Sequence, residues 1–319
     1  ADDLYKKENW IKANPILEYD EDALENLVPV ANTARDMGGE DLRDFLVKQL
    51  NMWMQWSNAL YIKDIKDWKR CAALRTLKDF RGSKCYVGVD LSSGGDLTSI
   101  AIVIPYMVDG VKKYFVHTHS FIPASRVDEH IKTDKVPYDV WISKGLVTVT
   151  ETLGGIKTDY KYIIKYLEDL IKQNDLKPQL VCYDPHNASA FLSDLEALGF
   201  DSVAITQTAK ELNDATVDFR LEIKAGNVVI EGTEVGKGKV VPFDELLTWS
   251  IANAKTISNS YGEIKIDKAL DEDRIDPIDA IIDAWKAAMK EEYKPDTNEV
   301  VNEWLEMYEK YMGKGGEKE

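Results

Sequence analysis

The chain has 319 residues and a formal net charge of −16 at pH 7, with 44% apolar and 30% charged residues. These proportions are typical of a globular protein that buries a full core in one or two domains. No apolar run approaches the roughly 20 residues of a membrane-spanning helix, and the acidic start Ala1-Asp2-Asp3 is unlike a signal peptide. The acidity argues against a nonspecific nucleic-acid coat protein, but not against an enzyme that contacts DNA through bound cations.

The three cysteines, Cys71, Cys85 and Cys182, are scattered along the chain, and two fall in predicted core strands. Such spacing fits neither a disulfide framework nor a zinc site. We therefore expect them to behave as small buried hydrophobic residues in a reducing cytoplasm.

Residues 1–80 are predicted to be mostly helical and are rich in tryptophan. Ala13-Asn14-Pro15 is a break, after which Asp20–Val30 and Gly39–Leu50 carry apolar residues at helical spacing. No set of polar residues in this segment suits chemistry, so it is predicted to be a helical connector.

From Cys85 the pattern changes to strands and then to alternating helices and strands, which predicts an α/β domain over residues 81–294. Its fold should be a mixed sheet with helices on both faces. The predicted strands are Cys85–Leu91, Thr98–Ile104, Lys113–Phe121, Leu146–Thr150, Leu180–Tyr183, Ser202–Thr206, Val228–Glu231 and Glu263–Ile266. The predicted helices are Asp159–Gln173, Ala188–Leu198, Asn213–Ala225, Phe243–Lys255 and Asp276–Glu292. Residues 295–319 are predicted to form a C-terminal helix, Asn298–Met312, and a flexible tail.

Asp90 is a carboxylate inside the first apolar strand, and Asp96 follows it beyond the Gly94-Gly95 turn. Burying an unpaired carboxylate costs several kcal/mol, so such a residue binds a cation or accepts hydrogen bonds. The plain alternative is that Asp90 only accepts N–H groups from its own turn.

Asp184 ends the short apolar strand Leu180–Tyr183 in the same way. Sites in α/β sheets form at the carboxyl ends of strands. If the strands before Asp90 and Asp184 are neighbours, the two carboxylates converge. His186 follows two residues later and could reach the same place.

A third acidic set opens the last predicted helix. Pro277 suits a first helical turn and Asp276 suits an N-cap, which would explain Asp276 structurally. Capping does not explain Asp279 and Asp283, which share one helix face with Asp276. They either form a solvated face or take up a cation.

Carboxylates at two strand ends and one helix start predict a cage for divalent metal ions, and hard oxygen ligands favour magnesium or manganese. Two ions about 3.5–4 Å apart would activate a water and stabilise the leaving oxygen of a phosphodiester. His117, His119 and His130 form no zinc-ligand set with the cysteines, so surface or core roles are expected for them.

The segment Gly232–Lys239 superficially resembles a phosphate-binding loop. It has one residue too few before the Gly-Lys pair, and no Ser or Thr follows the lysine. We therefore expect a mobile loop whose Lys237 and Lys239 contact the DNA backbone. Lys268 is a further candidate for a phosphate contact.

Together, these motifs resemble the C-terminal nuclease portion of phage terminase large subunits, the DNA-packaging motor proteins, from Trp10 to about Ala288. Residues 45–53 match the stretch that follows that family's ATPase domain. Three further stretches match its nuclease motifs in order: Val87-Gly88-Val89-Asp90-Leu91-Ser92-Ser93 with Asp96-Leu97-Thr98, then Tyr183-Asp184-Pro185 with Asn187-Ala188, then Trp249, Asn253, Gly262 and Lys268 followed by Arg274-Ile275-Asp276.

The resemblance implies an RNase H-like fold and a two-metal endonuclease that cuts concatemeric double-stranded DNA during genome packaging. It implies two Mg²⁺ or Mn²⁺ ions, bridged by Asp90 and held by Asp184 and Asp276. Asp96 would orient the attacking water. Asp279 departs from the family pattern, so Asp279 or Asp283 could replace Asp276 as the helix ligand.

The family pairs this nuclease with an N-terminal ATPase domain, and the chain has no Walker motif. Residues 1–80 are therefore expected to follow a missing ATPase domain. The resemblance also implies a host-cytoplasmic protein whose full-length form works with a portal protein and a small terminase subunit. The isolated fragment is expected to be monomeric.

Two other functions stay open on the sequence. Residues Asp90 to Thr98 also resemble the phosphate-binding hairpin of sugar kinases and actin-like ATPases, a class that needs a second glycine-rich loop. Alternatively, the acids only cap helices and face solvent in a noncatalytic docking module of a motor.

Overall fold

The computed structural model describes residues 3–37, 42, 44–52, 59–92, 97–151, 153–155, 158–186, 188–268 and 273–292. Asp96, the Gly94-Gly95 turn, Asn187 and the predicted segment 295–319 lie outside these ranges.

Helices and strands alternate along most of the described chain. The helices are α1 Lys7–Ala13, α2 Glu21–Met37, α3 Ile65–Lys69, α4 Val127–Thr133, α5 Tyr138–Ser143, α6 Tyr160–Asn174, α7 Ser189–Ala197, α8 Ala209–Ala225, α9 Glu245–Asn253 and α10 Asp276–Ala288. The strands are β1 Ala72–Ala73, β2 Lys84–Asp90, β3 Thr98–Val108, β4 Val111–Pro123, β5 Val147–Thr150, β6 Lys177–Tyr183, β7 Ser202–Ala204, β8 Val228–Val235, β9 Lys239–Pro242, β10 Lys255–Ser258 and β11 Ile264–Asp267. None of these helices is both long and apolar enough to cross a membrane.

One mixed sheet organises the chain, with strand order β1-β8-β4-β3-β2-β6-β7, β5 beside β4, and β9 beside β8. Strand β3 runs antiparallel to β2 and β4, whereas β2, β6 and β7 are parallel neighbours. The carboxyl ends of β2, β6 and β7 therefore meet at one edge of the sheet. The predicted mixed sheet is confirmed.

Helices cover both faces of this sheet. Cys85, Val87 and Val89 of β2 pack in the core beneath α6 and α7. The alternate residues of β2 face α8 and α10, in the second core. Alternation thus directs Asp90 to the α10 face. A separate cluster around Trp10 and Phe45 forms the core of the N-terminal segment.

Helix α10 lies unusually close to β2 at Gly88. A Cβ atom added to Gly88 would stand 1.8 Å from the carbonyl oxygen of Ala280 and 2.8 Å from the backbone nitrogen of Ala284. The two alanines are four residues apart, so they lie on the same helix face. Only glycine opposite small residues permits this approach, which holds the acidic helix against the strand that ends at Asp90.

Most predicted elements recur within a few residues, but some were missed or misplaced. The short strands β1, β9 and β10 were not predicted. The helix expected to reach Lys255 ends at Asn253, because Lys255 begins a hairpin with β11. Within the predicted helix Gly39–Leu50, residues Phe45–Gln49 form a π-helical turn. The domain limits 1–80, 81–294 and 295–319 stay predictions.

Gly88→Ala should destabilise the fold by about 3 kcal/mol or more, because the new methyl group overlaps the backbone of α10. Gly110→Ala is the control. Gly110 has φ +76° and nothing within 4 Å of an added Cβ, so alanine should cost only about 1 kcal/mol there. Urea unfolding measures both losses, and equal losses would contradict the close packing of α10.

Candidate functional site

Asp90 and Asp184 lie side by side at the carboxyl edge of the sheet. Strands β2 and β6 pair in parallel with Val89 opposite Tyr183, so the next residues of both strands emerge together. This confirms the expectation that the two strands are neighbours. Asp184 Oδ1 also accepts the backbone N–H of His186 at 3.0 Å, which fixes that carboxylate to its own turn. His186 thus contributes through its backbone.

The third group of acids comes from α10, which begins at Asp276 as predicted, and here the structure contradicts two of the alternatives left open by the sequence. Asp276 is the first residue of the helix and not its N-cap. That position belongs to Ile275, which makes no side-chain capping bond. The solvated-face interpretation fails for Asp283, which is 1% exposed. Asp276 and Asp279 are partly buried.

The five carboxylates converge electrostatically. Burial raises the pKa of Asp90 well above its ordinary value, and the charges of Asp276, Asp279, Asp283 and Asp184 raise it further. No hydrogen bond to the Asp90 carboxylate occurs within the described ranges. Residues 93–96, on which the turn-capping alternative depends, lie outside the described ranges, so that alternative stays open. Asp90 is the point at which the strand acids and helix acids meet.

Nearby polar groups compensate the helix acids only in part. Burial and the neighbouring acids raise the pKa of Asp279, and Lys265 opposes the rise. Burial raises the pKa of Asp283 to about 8, although Gln207 and Lys286 counteract this. Gln207 Nε2 donates to Asp283 Oδ1 at 2.9 Å, whereas Asp283 Oδ2 is buried with no hydrogen-bond partner among the described residues. The ionised forms of Asp279 and Asp283 are therefore only partly compensated by the groups around them.

A cleft of about 180 Å³ is lined by two of the five acids, Asp276 and Asp279. Its lining mixes acidic and basic side chains: Asp267, Lys268, Asp273, Arg274, Ile275, Asp276 and Asp279. Of the three lysines expected to contact DNA, the structure brings only Lys268 into this cleft. Lys239 lines another groove with Lys66, Lys69 and Arg70. Lys237 is exposed at the β8–β9 turn, with φ +42°.

The donor set fits divalent metal ions by its chemistry. All five side chains supply hard oxygen atoms, and the unpartnered buried Oδ2 of Asp283 marks a missing positive group. Within the described part of the chain, no three His, Cys, Asp or Glu side chains are arranged to hold an ion as they stand. Asp96, the sixth candidate ligand, lies outside that part.

The other histidines have structural surroundings. Burial lowers the pKa of His117 to about 4 and that of His119 to about 3. His119 stacks on Tyr166, and its Nε2 lies 2.8 Å from Thr148 Oγ1. His119 is buried and His117 is partly buried, which agrees with the surface or core roles expected for them. His130 lies in a buried hydrogen-bonded group with Asp134.

Several residues around the acids were not predicted. Gln207 follows β7, a third parallel strand that ends at the same edge of the sheet. The rule that sites form at the carboxyl ends of strands, which indicated Asp184, could therefore also have indicated Gln207. Asp267 and Lys265 belong to β11, which pairs in a hairpin outside the main sheet. Only tertiary structure brings that hairpin to the cleft.

Comparison with known proteins points to one family. The sequence model of the family described as "Terminase large subunit, endonuclease domain" matches residues 1–292. The terminase large subunit of Enterobacteria phage HK97 is 26% identical over 276 residues, which cover 86% of this chain and 50% of that protein. The terminase large subunit of Lactococcus phage p2 is 22% identical over 216 residues, which cover 68% of this chain and 37% of that protein.

Among solved structures, the crystal structure of the HK97 large terminase superposes with a TM-score of 0.59 at 26% identity. The match covers 90% of this chain and 55% of that one. The fold is RNase H-like, as expected. The chain spans about half the length or less of the curated relatives that it matches.

Melting curves with and without metal test whether the acids form a cage. Because burial and like charges raise the pKa of Asp90, its ionisation costs folding free energy above about pH 4. At pH 7 in EDTA, Asp90→Asn should therefore be as stable as the parent or slightly more so. Manganese at about ten times its Kd should stabilise the parent by about 1.4 kcal/mol, a Tm shift of roughly 3 °C.

The variant should lose most of that shift. A turn-capping Asp90 would give another pattern, in which Asp90→Asn costs about 1–2 kcal/mol with and without metal. Equal manganese shifts in parent and variant would refute the cage.

Proposed function

The chain belongs to the family of terminase large subunit endonuclease domains, and we propose that its acidic cluster hydrolyses phosphodiester bonds of double-stranded DNA with two divalent metal ions. One observation carries the proposal. Four carboxylates, Asp184 after β6 and Asp276, Asp279 and Asp283 of α10, lie close enough to Asp90 to raise its pKa. They lie at the sheet edge where α/β folds place their sites.

Asp90, Asp184 and the acids of α10 would hold the ions. Asp276 is the first choice on the helix, because it lines the open cleft, whereas Asp283 is almost fully buried. Asp96 completes the proposed set. When bound, Mg²⁺ or Mn²⁺ would neutralise the carboxylates and supply Lewis-acid stabilisation to the entering and leaving oxygens.

The protein's own groups would orient the reaction. The N–H of His186 fixes the Asp184 carboxylate, and Gln207 fixes that of Asp283. Lys268 and Arg274, on the wall of the cleft, would attract a DNA phosphate toward the acids. Water would attack phosphorus and one P–O bond would break, so no side-chain nucleophile is required.

In the virus, we propose that this nuclease cuts concatemeric DNA during genome packaging, in the cytoplasm of the host. The family assignment supports that setting. The full-length protein would act there with a portal protein and a small terminase subunit, while the isolated chain would be a monomer. Lys237 and Lys239 remain proposed contacts for the DNA backbone away from the acidic cleft.

The isolated chain should cut plasmid DNA with little sequence preference when Mn²⁺ or Mg²⁺ is present, because none of the helices in the described ranges is a basic helix that could read base edges. Agarose gels would record nicking and linearisation over time. Cleavage should weaken steeply with salt, since a few local cations oppose a chain of net charge −16.

Matched variants identify the acids responsible. Asp184→Asn should abolish detectable cleavage. Asp201→Asn, an exposed acid that precedes β7, should cleave like the parent. Intact plasmid after long incubation of the parent with millimolar Mn²⁺ would overturn the proposed activity and favour the noncatalytic docking module.

The sugar-kinase-like alternative makes an opposite prediction about nucleotides. The Gly232–Lys239 segment forms the ends of β8 and β9 and the turn between them, so it is no phosphate cradle at the start of a helix. The chain should therefore show no ATP binding at micromolar concentrations in calorimetry. Micromolar ATP affinity would support that alternative.

A further inference from the structure

A buried carboxylate outside the acidic cluster, Asp134, is held by an unusual number of donors. Its side chain is 0% exposed. The hydroxyl groups of Tyr138 and Thr133 each donate to it at 2.8 Å. Burial alone would raise the pKa of Asp134, but hydrogen bonds from His130, Arg274 and these hydroxyls hold it below its ordinary value. The carboxylate is therefore charged and fully engaged.

Two nitrogens of the Arg274 guanidinium group pair with the two oxygens of this carboxylate. Its Nε lies 3.1 Å from Asp134 Oδ2, and its Nη2 lies 3.3 Å from Asp134 Oδ1. His130 Nδ1 is 3.1 Å from both Asp134 Oδ2 and Arg274 Nη2, so its tautomer decides whether it donates to the first or accepts from the second. The Arg274 side chain is only 11% exposed. A buried ion pair with two contacts fixes the orientation of the guanidinium group relative to the carboxylate as well as the distance between them.

The Arg274–Asp134 ion pair lies immediately before α10, the helix that carries Asp276, Asp279 and Asp283. Arg274 precedes Asp276, the first residue of α10, by two positions, and it lines the same cleft. The N-cap residue of α10, Ile275, supplies no side-chain cap. The first turn of α10 is held instead by Ser250 Oγ, which accepts the N–H of Ile278 at 3.4 Å, and the Arg274–Asp134 pair adds a second anchor just before that turn.

From this arrangement we propose that Asp134 is a positioning residue for the cleavage site, which acts through Arg274 to fix the start of α10 and hence the carboxylate of Asp276. The inference rests on the proposed function. A buried ion pair adds little net stability compared with apolar residues, so its use here is to define geometry. Groups that orient metal ligands typically change metal affinity 10–100-fold when they are removed.

Asp134→Asn keeps the size of the side chain and removes the charge that pairs with Arg274. Calorimetry with Mn²⁺ alone should show an affinity about tenfold weaker than that of the parent. In plasmid cleavage, kcat should fall while KM for DNA changes little. Arg274→Lys keeps the positive charge but loses the pairing through two contacts, so it should show a smaller loss in the same direction.

Asp244→Asn controls for general destabilisation. Asp244 is another buried carboxylate, which accepts from Thr118 Oγ1 at 2.7 Å and from the backbone N–H of Leu247 at 2.8 Å. This variant should lower Tm but leave Mn²⁺ affinity within about twofold. Circular dichroism confirms folding before each titration.

Two outcomes overturn the positioning role: parent-like Mn²⁺ affinity in folded Asp134→Asn, or an equal loss of affinity in Asp244→Asn. Absence of Mn²⁺ binding and cleavage in the parent would instead overturn the proposed function, and the positioning role with it.

Discussion

The contact between Gly88 and helix α10 is the constraint on which the site depends. The acids of α10 meet Asp90 only because the helix backbone comes within van der Waals distance of β2, and a Cβ at Gly88 would overlap the carbonyl oxygen of Ala280. The parallel pairing of β2 with β6 brings Asp184 to the same edge. Strand pairing thus determines the positions of Asp90 and Asp184, and the packing of α10 determines the positions of the other three carboxylates.

This arrangement works against folding, and the metal binding proposed for it would offset that cost. Burial and mutual repulsion raise the pKa values of Asp90, Asp279 and Asp283, so ionising these groups destabilises the empty protein at neutral pH. Burial of apolar residues in the surrounding core must offset this free-energy cost, and most residues of α10 are buried. Divalent cations would remove the repulsion, which is why a nuclease can tolerate such a cluster.

Local sequence patterns predicted much of this structure, but they did not predict the contacts between residues that are distant in the sequence. The apolar run that ends at Asp90, the run that ends at Asp184 and the helical spacing of Asp276 and Asp279 were readable in the chain. The burial of Asp283 was not, because its spacing fits a solvated face equally well. Arg274 and Asp134 are 140 residues apart, and neither hydrophobic periodicity nor a turn motif can predict such a pairing. The predicted helix begins at Asp276, as α10 does, and only the alternative that made Asp276 the N-cap is wrong, since Asp before Pro fits both positions.

Anomalous diffraction from crystals soaked in manganese tests most directly whether the strand and helix acids form one metal site. Anomalous density should appear between Asp90, Asp184 and the acids at the start of α10, with the carboxylate oxygens at ligand distance. Well-ordered crystals at saturating manganese with no density there, or with density only at other acidic surfaces, would contradict the cage that the Gly88 contact is proposed to build.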